Sequence, residues 1–169
     1  IPRLDTMLSG KGYFRGSTVL VSGTAGTGKT SLAAQFVEAA CKRGEQVLYF
    51  AFEESPSQFI RNMSSIGIHL DPWVKKGLLH FHATRPTLHG LEHHLTTTIK
   101  LINQIKPQVV ILDPIDAFII GKNHTEVKIM LLRLVDFLKM KNITAFFASL
   151  STTGDSKELT DMAISSLID

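Results

Sequence analysis

A chain of 169 residues, 44 % hydrophobic and 20 % charged, has the size and composition of one globular domain. It has no run of about 18 apolar residues to span a membrane and no basic-then-apolar opening of a secretion signal. Its one cysteine, Cys41, excludes an internal disulfide and suits a reducing, cytoplasmic setting, while a dispersed net charge of +3 permits phosphate binding without calling for nucleic acid.

No linker, internal repeat or low-complexity tract interrupts the chain, so residues 1–169 read as a single domain. The first residue opens in mid-pattern and the closing "SLID" reads as the start of a strand. The expectation is a domain cut from a longer chain and shortened at its C-terminal end. "TVLVSG" (18–23) is a β-branched run ending in glycine, which predicts a buried strand. From Lys29 to Arg43, Leu32, Phe36 and Ala40 with Ala33 and Val37 form one helical face. "QVLYFAF" (46–52) is the next strand. "SPSQFIRNMSSIG" predicts a helix capped by Ser55, with Pro56 in its first turn and Gly67 as its stop.

"LLHFHA" (78–83) is a third strand. Leu88, Leu91, Leu95, Ile99, Ile102 and Ile105 predict a long amphipathic helix closed by Pro107, followed by a strand at "QVVILD" (108–113). Val127, Leu131, Leu134, Val135 and Leu138 predict another helix, and "ITAFFASL" (143–150) a fifth strand. Alternating strands and helices imply an α/β fold with a parallel sheet covered on both faces, and nearly continuous apolar strands agree. Ligands of such sheets bind beyond the carboxyl ends of the strands, which gathers Gly23, Glu53, Glu54, Asp113 and Ser149 along one edge.

"GTAGTGKT" (23–30) matches G-x-x-x-x-G-K-[ST] between a strand and a helix, the setting that a phosphate-binding P-loop requires. Gly23, Thr24, Ala25, Gly26, Thr27 and Gly28 would wrap the phosphates of ATP in backbone N–H groups, with Ser31 in the first turn of the helix behind them. Lys29 would reach the β- and γ-phosphates, and the Thr30 hydroxyl would ligate Mg²⁺. Asp113, ending an apolar strand, fits the second magnesium group. Many P-loop ATPases carry a glutamate directly after that aspartate, but here the position is Pro114, and Asp116 is expected to point elsewhere. Glu53 and Glu54 then have two readings. They are solubilising charges at a strand end, or a catalytic pair with one carboxylate on the nucleophile and the other on the metal's water shell.

With these features in place the chain resembles the KaiC family of RecA-type ATPases, and within it the second, autokinase-type domain. "RLDTMLSGKGYF", "GTAGTGKT", "FVEAAC", "FAFEESPSQFIRN" and "LTDMAISSLID" follow that pattern in order over the whole chain. The resemblance implies a RecA-like core that binds ATP and Mg²⁺, with Glu53 as base and metal-side carboxylate, Glu54 in support, and Thr30 with Asp113 on magnesium. It also implies a homohexameric ring whose neighbouring subunit completes each site, other clock or signalling proteins as partners, and Ser165 and Ser166 as phosphoacceptors. Two departures stand out. Lys11 replaces a usual glycine, and the chain ends before the strands that carry basic residues acting on a neighbour's nucleotide.

Other signals lead elsewhere. His80 and His82 share a strand face, and His89 and His93 are placed i, i+4 on a helix, a spacing compatible with zinc but lacking a third ligand. Trp73, after Asp71-Pro72, reads as a loop anchor. A RecA- or DnaB-type DNA-dependent ATPase should carry basic loops, and "GKNHTEV" offers one lysine and one glutamate. A nucleotide-gated oligomeric scaffold without turnover is the third reading.

Overall fold

Strands and helices alternate as the apolar patterning requires, and the computed structural model describes residues 2–120 and 123–150. Helix α1 (Pro2–Met7) leads through a loop into β1 (Thr18–Gly23), then α2 (Lys29–Lys42), β2 (Val47–Ala51), α3 (Pro56–Ser65) and α4 (Asp71–Lys75). β3 (Leu79–Ala83), α5 (Leu91–Ile105), β4 (Val109–Asp113), α6 (His124–Met140) and β5 (Thr144–Leu150) follow. All five strands pair in parallel, in the order β1-β5-β4-β2-β3.

The period-2 alternation of strand side chains sorts the interior into two layers. Leu48 and Phe50 of β2, with Val110 and Leu112 of β4, enter the core shared with α5 and α6. Val47, Tyr49 and Ala51, with Val109 and Ile111, face the opposite core against α2 and α3. Every residue of β2 and of β4 is buried, as a sheet covered on both faces demands. Because β5 lies between β1 and β4, the strand entering the P-loop and the strand ending in Asp113 are second neighbours. The crevice over their carboxyl ends is where this architecture holds ligands.

Three local expectations change. The helix predicted from Leu88 begins at Leu91, because His89 and Gly90 are extended, with ψ of 163° and 159°, and Pro86–Leu88 form a separate 3-10 turn. Leu88 is accordingly exposed. Trp73 anchors the α3 side of the core, as expected, but from the single-turn helix α4 rather than from a loop. Lys11 carries no strain, since the left-handed conformations fall on Gly10 and Gly12 to either side of it. Among the described residues no helix is long and apolar enough to cross a membrane. The strand expected at "SLID" and the serines Ser165 and Ser166 lie outside the described residues.

Candidate functional site

The loop from Gly23 to Gly28 connects β1 to α2 with its residues 24–28 exposed. Gly28 caps α2 in the left-handed conformation, φ 85°, where a β-carbon would be strained. A β-carbon on Gly23 would meet the Thr27 hydroxyl at 2.8 Å, so a side chain there would have to displace Thr27. No side chain caps α2, and its first N–H groups are therefore open to an anion, reinforced by the helix dipole. The Lys29 ammonium donates to the carbonyls of Gly23 (2.7 Å) and Thr24 (2.8 Å), bonds it can exchange for phosphate oxygens. The Thr27 hydroxyl donates to the Thr24 carbonyl and braces the loop from within. Thr30 and Ser31 sit half-buried in the first turn of α2.

Asp113 ends β4 on the side of the sheet facing α2, following the parity of Val109 and Ile111. Thr30 lines the same cavity as Asp113, near enough for its hydroxyl to favour the charged form of that carboxylate. Burial pushes the Asp113 carboxyl above the usual carboxylate range, although the donors Tyr49 and Thr30 and the nearby Lys29 charge pull it down. Thr30, Asp113, Glu53 and Glu54 line one small cavity together with Tyr49, Ala51, Phe59 and Pro114. The Asp113–Pro114 peptide is cis.

The two glutamates differ in their surroundings. Both line the cavity, where the charge of Asp113 acts on Glu53, whereas the Glu54 carboxylate also accepts from Asn62 of α3 at 3.4 Å. Partial burial, and then the charges of Asp113, Glu54 and Asp116, raise the Glu53 carboxyl above its ordinary value, with Lys29 opposing. Glu53 is exposed at the cavity mouth, so solvent screens that shift. The Ser55 cap with its reciprocal Gln58 bond starts α3 directly after the pair and fixes where the chain turns. Asp116 is occupied elsewhere, as expected, accepting from the Leu150 N–H at 2.6 Å and the Ser149 hydroxyl at 3.2 Å.

Sequence reasoning missed Tyr49. Its hydroxyl donates to Asp113 Oδ2 at 2.6 Å in a fully buried setting, and its ring is held by Phe59 and Phe81 at centroid distances of 4.7 and 5.4 Å. Tyr49 pairs with Ile111, which places Asp113 two residues further along the same face, within reach of a long side chain. The available signal was a phenol inside an otherwise apolar strand, because a buried Tyr hydroxyl needs a partner.

A metal fits this donor set. Hydroxyl and carboxylate oxygens suit hard Mg²⁺, which takes one or two protein groups and fills its shell with water and phosphate. No cluster of three or more His, Cys, Asp or Glu residues that could cage an ion exists among the described residues. The histidine reading also changes, since His89 lies ahead of α5, although its ring still meets that of His93 at 4.4 Å.

Fold and site together define a RecA-like P-loop nucleotide-binding domain. The family model for the KaiC ATPase matches residues 1–167. The chain belongs to the KaiC family of ATPases. It is 46 % identical over its whole length to "Circadian clock protein KaiC2" of Synechocystis sp., covering 30 % of that protein. It is 36 % identical, again over its whole length, to "Circadian clock oscillator protein KaiC" of Parasynechococcus marenigrum, covering 33 % of it. A further KaiC, from Picosynechococcus sp., is 36 % identical over 88 % of the chain and 29 % of that protein. The chain thus spans about a third of the length of these relatives.

Proposed function

We propose that the chain binds ATP at Gly23–Ser31 and hydrolyses it with Mg²⁺, using Glu53 as the base that orients and deprotonates the attacking nucleophile. One observation carries the reading. Thr30 of the P-loop, Asp113 at the end of β4 and Glu53 after β2 line one cavity at the carboxyl edge of the sheet. In this reading the loop N–H groups and Lys29 hold the phosphates in line, Thr30 and Asp113 hold magnesium, and Glu54 with its Asn62 contact supports the first carboxylate. Magnesium supplies charge neutralisation of the phosphates when bound.

The test is steady-state turnover of the full-length protein carrying Glu53→Gln or Glu54→Gln. Glu53→Gln retains nucleotide and loses at least about a hundredfold in kcat, the scale of a missing general base. A larger loss in Glu54→Gln exchanges the two roles, and undiminished turnover in both removes the assignment.

The segment "LTDMAISSLID" favours a second reading, autokinase transfer to Ser165 or Ser166, because a base that activates water can equally activate a hydroxyl in line with the γ-phosphate. Incubation with Mg²⁺·ATP and phosphate mapping by mass spectrometry decides it. Healthy ATPase activity with neither serine labelled leaves a plain ATPase.

A further inference from the structure

At the other end of the sheet, below the amino ends of β4 and β5, a cavity of about 320 Å³ opens between α1, the loop before β1 and the C-terminal half of α2. Its floor is apolar, made by Phe36 and Ala39 of α2, Leu4 and Val109. Tyr13 stands beside it with its ring edge-on to Phe36, 6.0 Å between centroids. Its rim is charged. Glu45, only 8 % exposed, receives Arg15 Nη2 at 2.6 Å and Arg43 through Nε at 3.1 Å and Nη2 at 2.9 Å. One buried carboxylate therefore fixes two guanidiniums from separate elements at the cavity mouth, while their side chains stay 69 % and 51 % exposed.

Each guanidinium carries five donors, so the pair keeps N–H groups beyond the three bonds to Glu45. With Lys11 also at the rim, three cations face the two carboxylates of Asp5 and Glu45, leaving one net positive charge. Further cations lie around it, two of them, Lys42 and Lys75, paired with Glu38 and Asp71. Each connection that enters the sheet at this edge carries cations, including Lys42, Lys75 and Lys76, Lys106, and Lys139 and Lys141. The C-terminal ends of the helices account for their placement one by one, but together they favour the approach of anions.

We propose that this cleft is a second binding site, separate from the nucleotide site, for a small organic anion with a carboxylate or phosphate head on an apolar body. The body would lie on Phe36, Ala39 and Val109 beside Tyr13. The head would take bidentate bonds from the guanidiniums that Glu45 has already oriented, so little side-chain ordering is left to binding. The inference does not depend on the roles given to Lys29, Asp113 or Glu53.

The test titrates the full-length protein, saturated with Mg²⁺·ATP, with the fluorescent aromatic sulfonate 1-anilinonaphthalene-8-sulfonate, and competes it with benzoate, phenyl phosphate or inorganic phosphate. One saturable site is expected, also present in Lys29→Ala without nucleotide, and weakened at least tenfold by Arg15→Ala combined with Arg43→Ala. The exposed Arg15→Lys change, which keeps the charge but not the fork, should weaken it severalfold with ATP turnover and the circular dichroism melt unchanged. Displacement by benzoate or by phenyl phosphate identifies the head group. Binding that does not saturate, that inorganic phosphate alone displaces as well as the aromatic anions do, or that is indifferent to both Arg15→Lys and the double variant overturns the proposal.

Discussion

Tyr49 and Glu45 are polar tips placed in buried surroundings, and each is explained by the group that it serves. The Tyr49 hydroxyl takes one lone pair of Asp113 Oδ2, and its ring cannot swing because Phe59 and Phe81 pack on it. A carboxylate so held presents its remaining lone pairs in a fixed direction, which is what a metal demanding near-ideal octahedral geometry requires. Tyr49→Phe keeps the packing and deletes the donor. A buried hydrogen bond to a charged group contributes about 1.5–3 kcal/mol, so the Mg²⁺ concentration for half-maximal turnover should rise about tenfold or more. ATP binding measured in EDTA should not change, and an unaltered magnesium requirement would refute the positioning role. For Glu45 the expectation concerns pH. Burial alone would raise its carboxyl, but the bonds and charges of Arg43 and Arg15 outweigh burial and hold it below the ordinary value. A depressed carboxylate stabilises the fold above its unfolded pKa, about 4.3, and that contribution disappears as pH falls through the folded value. The stability gap between wild type and Glu45→Gln, from urea melts, should therefore narrow steadily below about pH 5. A gap independent of pH would show that the ion pairs contribute nothing.

Helix α3 connects the candidate base to the core. Its N-terminus carries a complete capping box, in which Ser55 accepts from the Gln58 N–H while the Gln58 side chain accepts from the Ser55 N–H, with Pro56 in the first turn. Phe59 and Met63, on the buried face of the helix, fasten it to the α2-side core, and Phe59 touches Tyr49. The direction in which Glu53 and Glu54 leave β2 is thus set by a cap on one side and a strand on the other. Ser55→Ala removes an acceptor for an N–H of the first turn, a loss of about 1 kcal/mol, or roughly 2–4 °C in Tm for a domain of this size. Because the released turn begins one residue after the pair, kcat should fall severalfold while ATP affinity in EDTA stays constant. A Tm shift with unchanged kcat would mean that the pair is positioned from β2 alone. Helix α5 shows the reverse dependence. Its apolar periodicity continues back to Leu88, yet the extended Gly90 starts the helix at Leu91 and leaves Leu88 in a separate turn. Periodicity identified the buried face, and local backbone conformation chose the boundary.

Over the whole molecule, what could be read in the sequence was what is local in the chain. The P-loop is eight consecutive residues, the strands are short apolar runs, and Asp113 and the Glu53–Glu54 pair are strand ends whose common edge follows from parallel pairing. The contacts that complete the site are set by register between distant strands, as with Tyr49 and Asp113, 64 residues apart. The same holds for the amino-edge cleft, where Arg15 meets Glu45 across 30 residues and Val109 and Thr144 close the wall. No spacing rule reaches that far. The assembled edge also has an electrostatic consequence. The cavity beside Thr30 and Asp113 is lined by two glutamates and an aspartate and by no lysine or arginine among the described residues, while the Lys29 ammonium sits on the loop carbonyls beside it. A triphosphate adds several negative charges there, and a transition state that spreads charge over the γ-phosphoryl oxygens needs a further cation, supplied in cis or by a neighbour. A second copy of the chain, seated against the carboxyl edge, would supply it, and nucleotide would in turn hold the copies together. The expected outcome is that the full-length protein sediments as an oligomer with Mg²⁺·ATP and as smaller species without it. Lys29→Ala should assemble poorly at any ATP concentration. A protein that remains monomeric with saturating Mg²⁺·ATP, yet turns ATP over, would place the missing cation within the same chain.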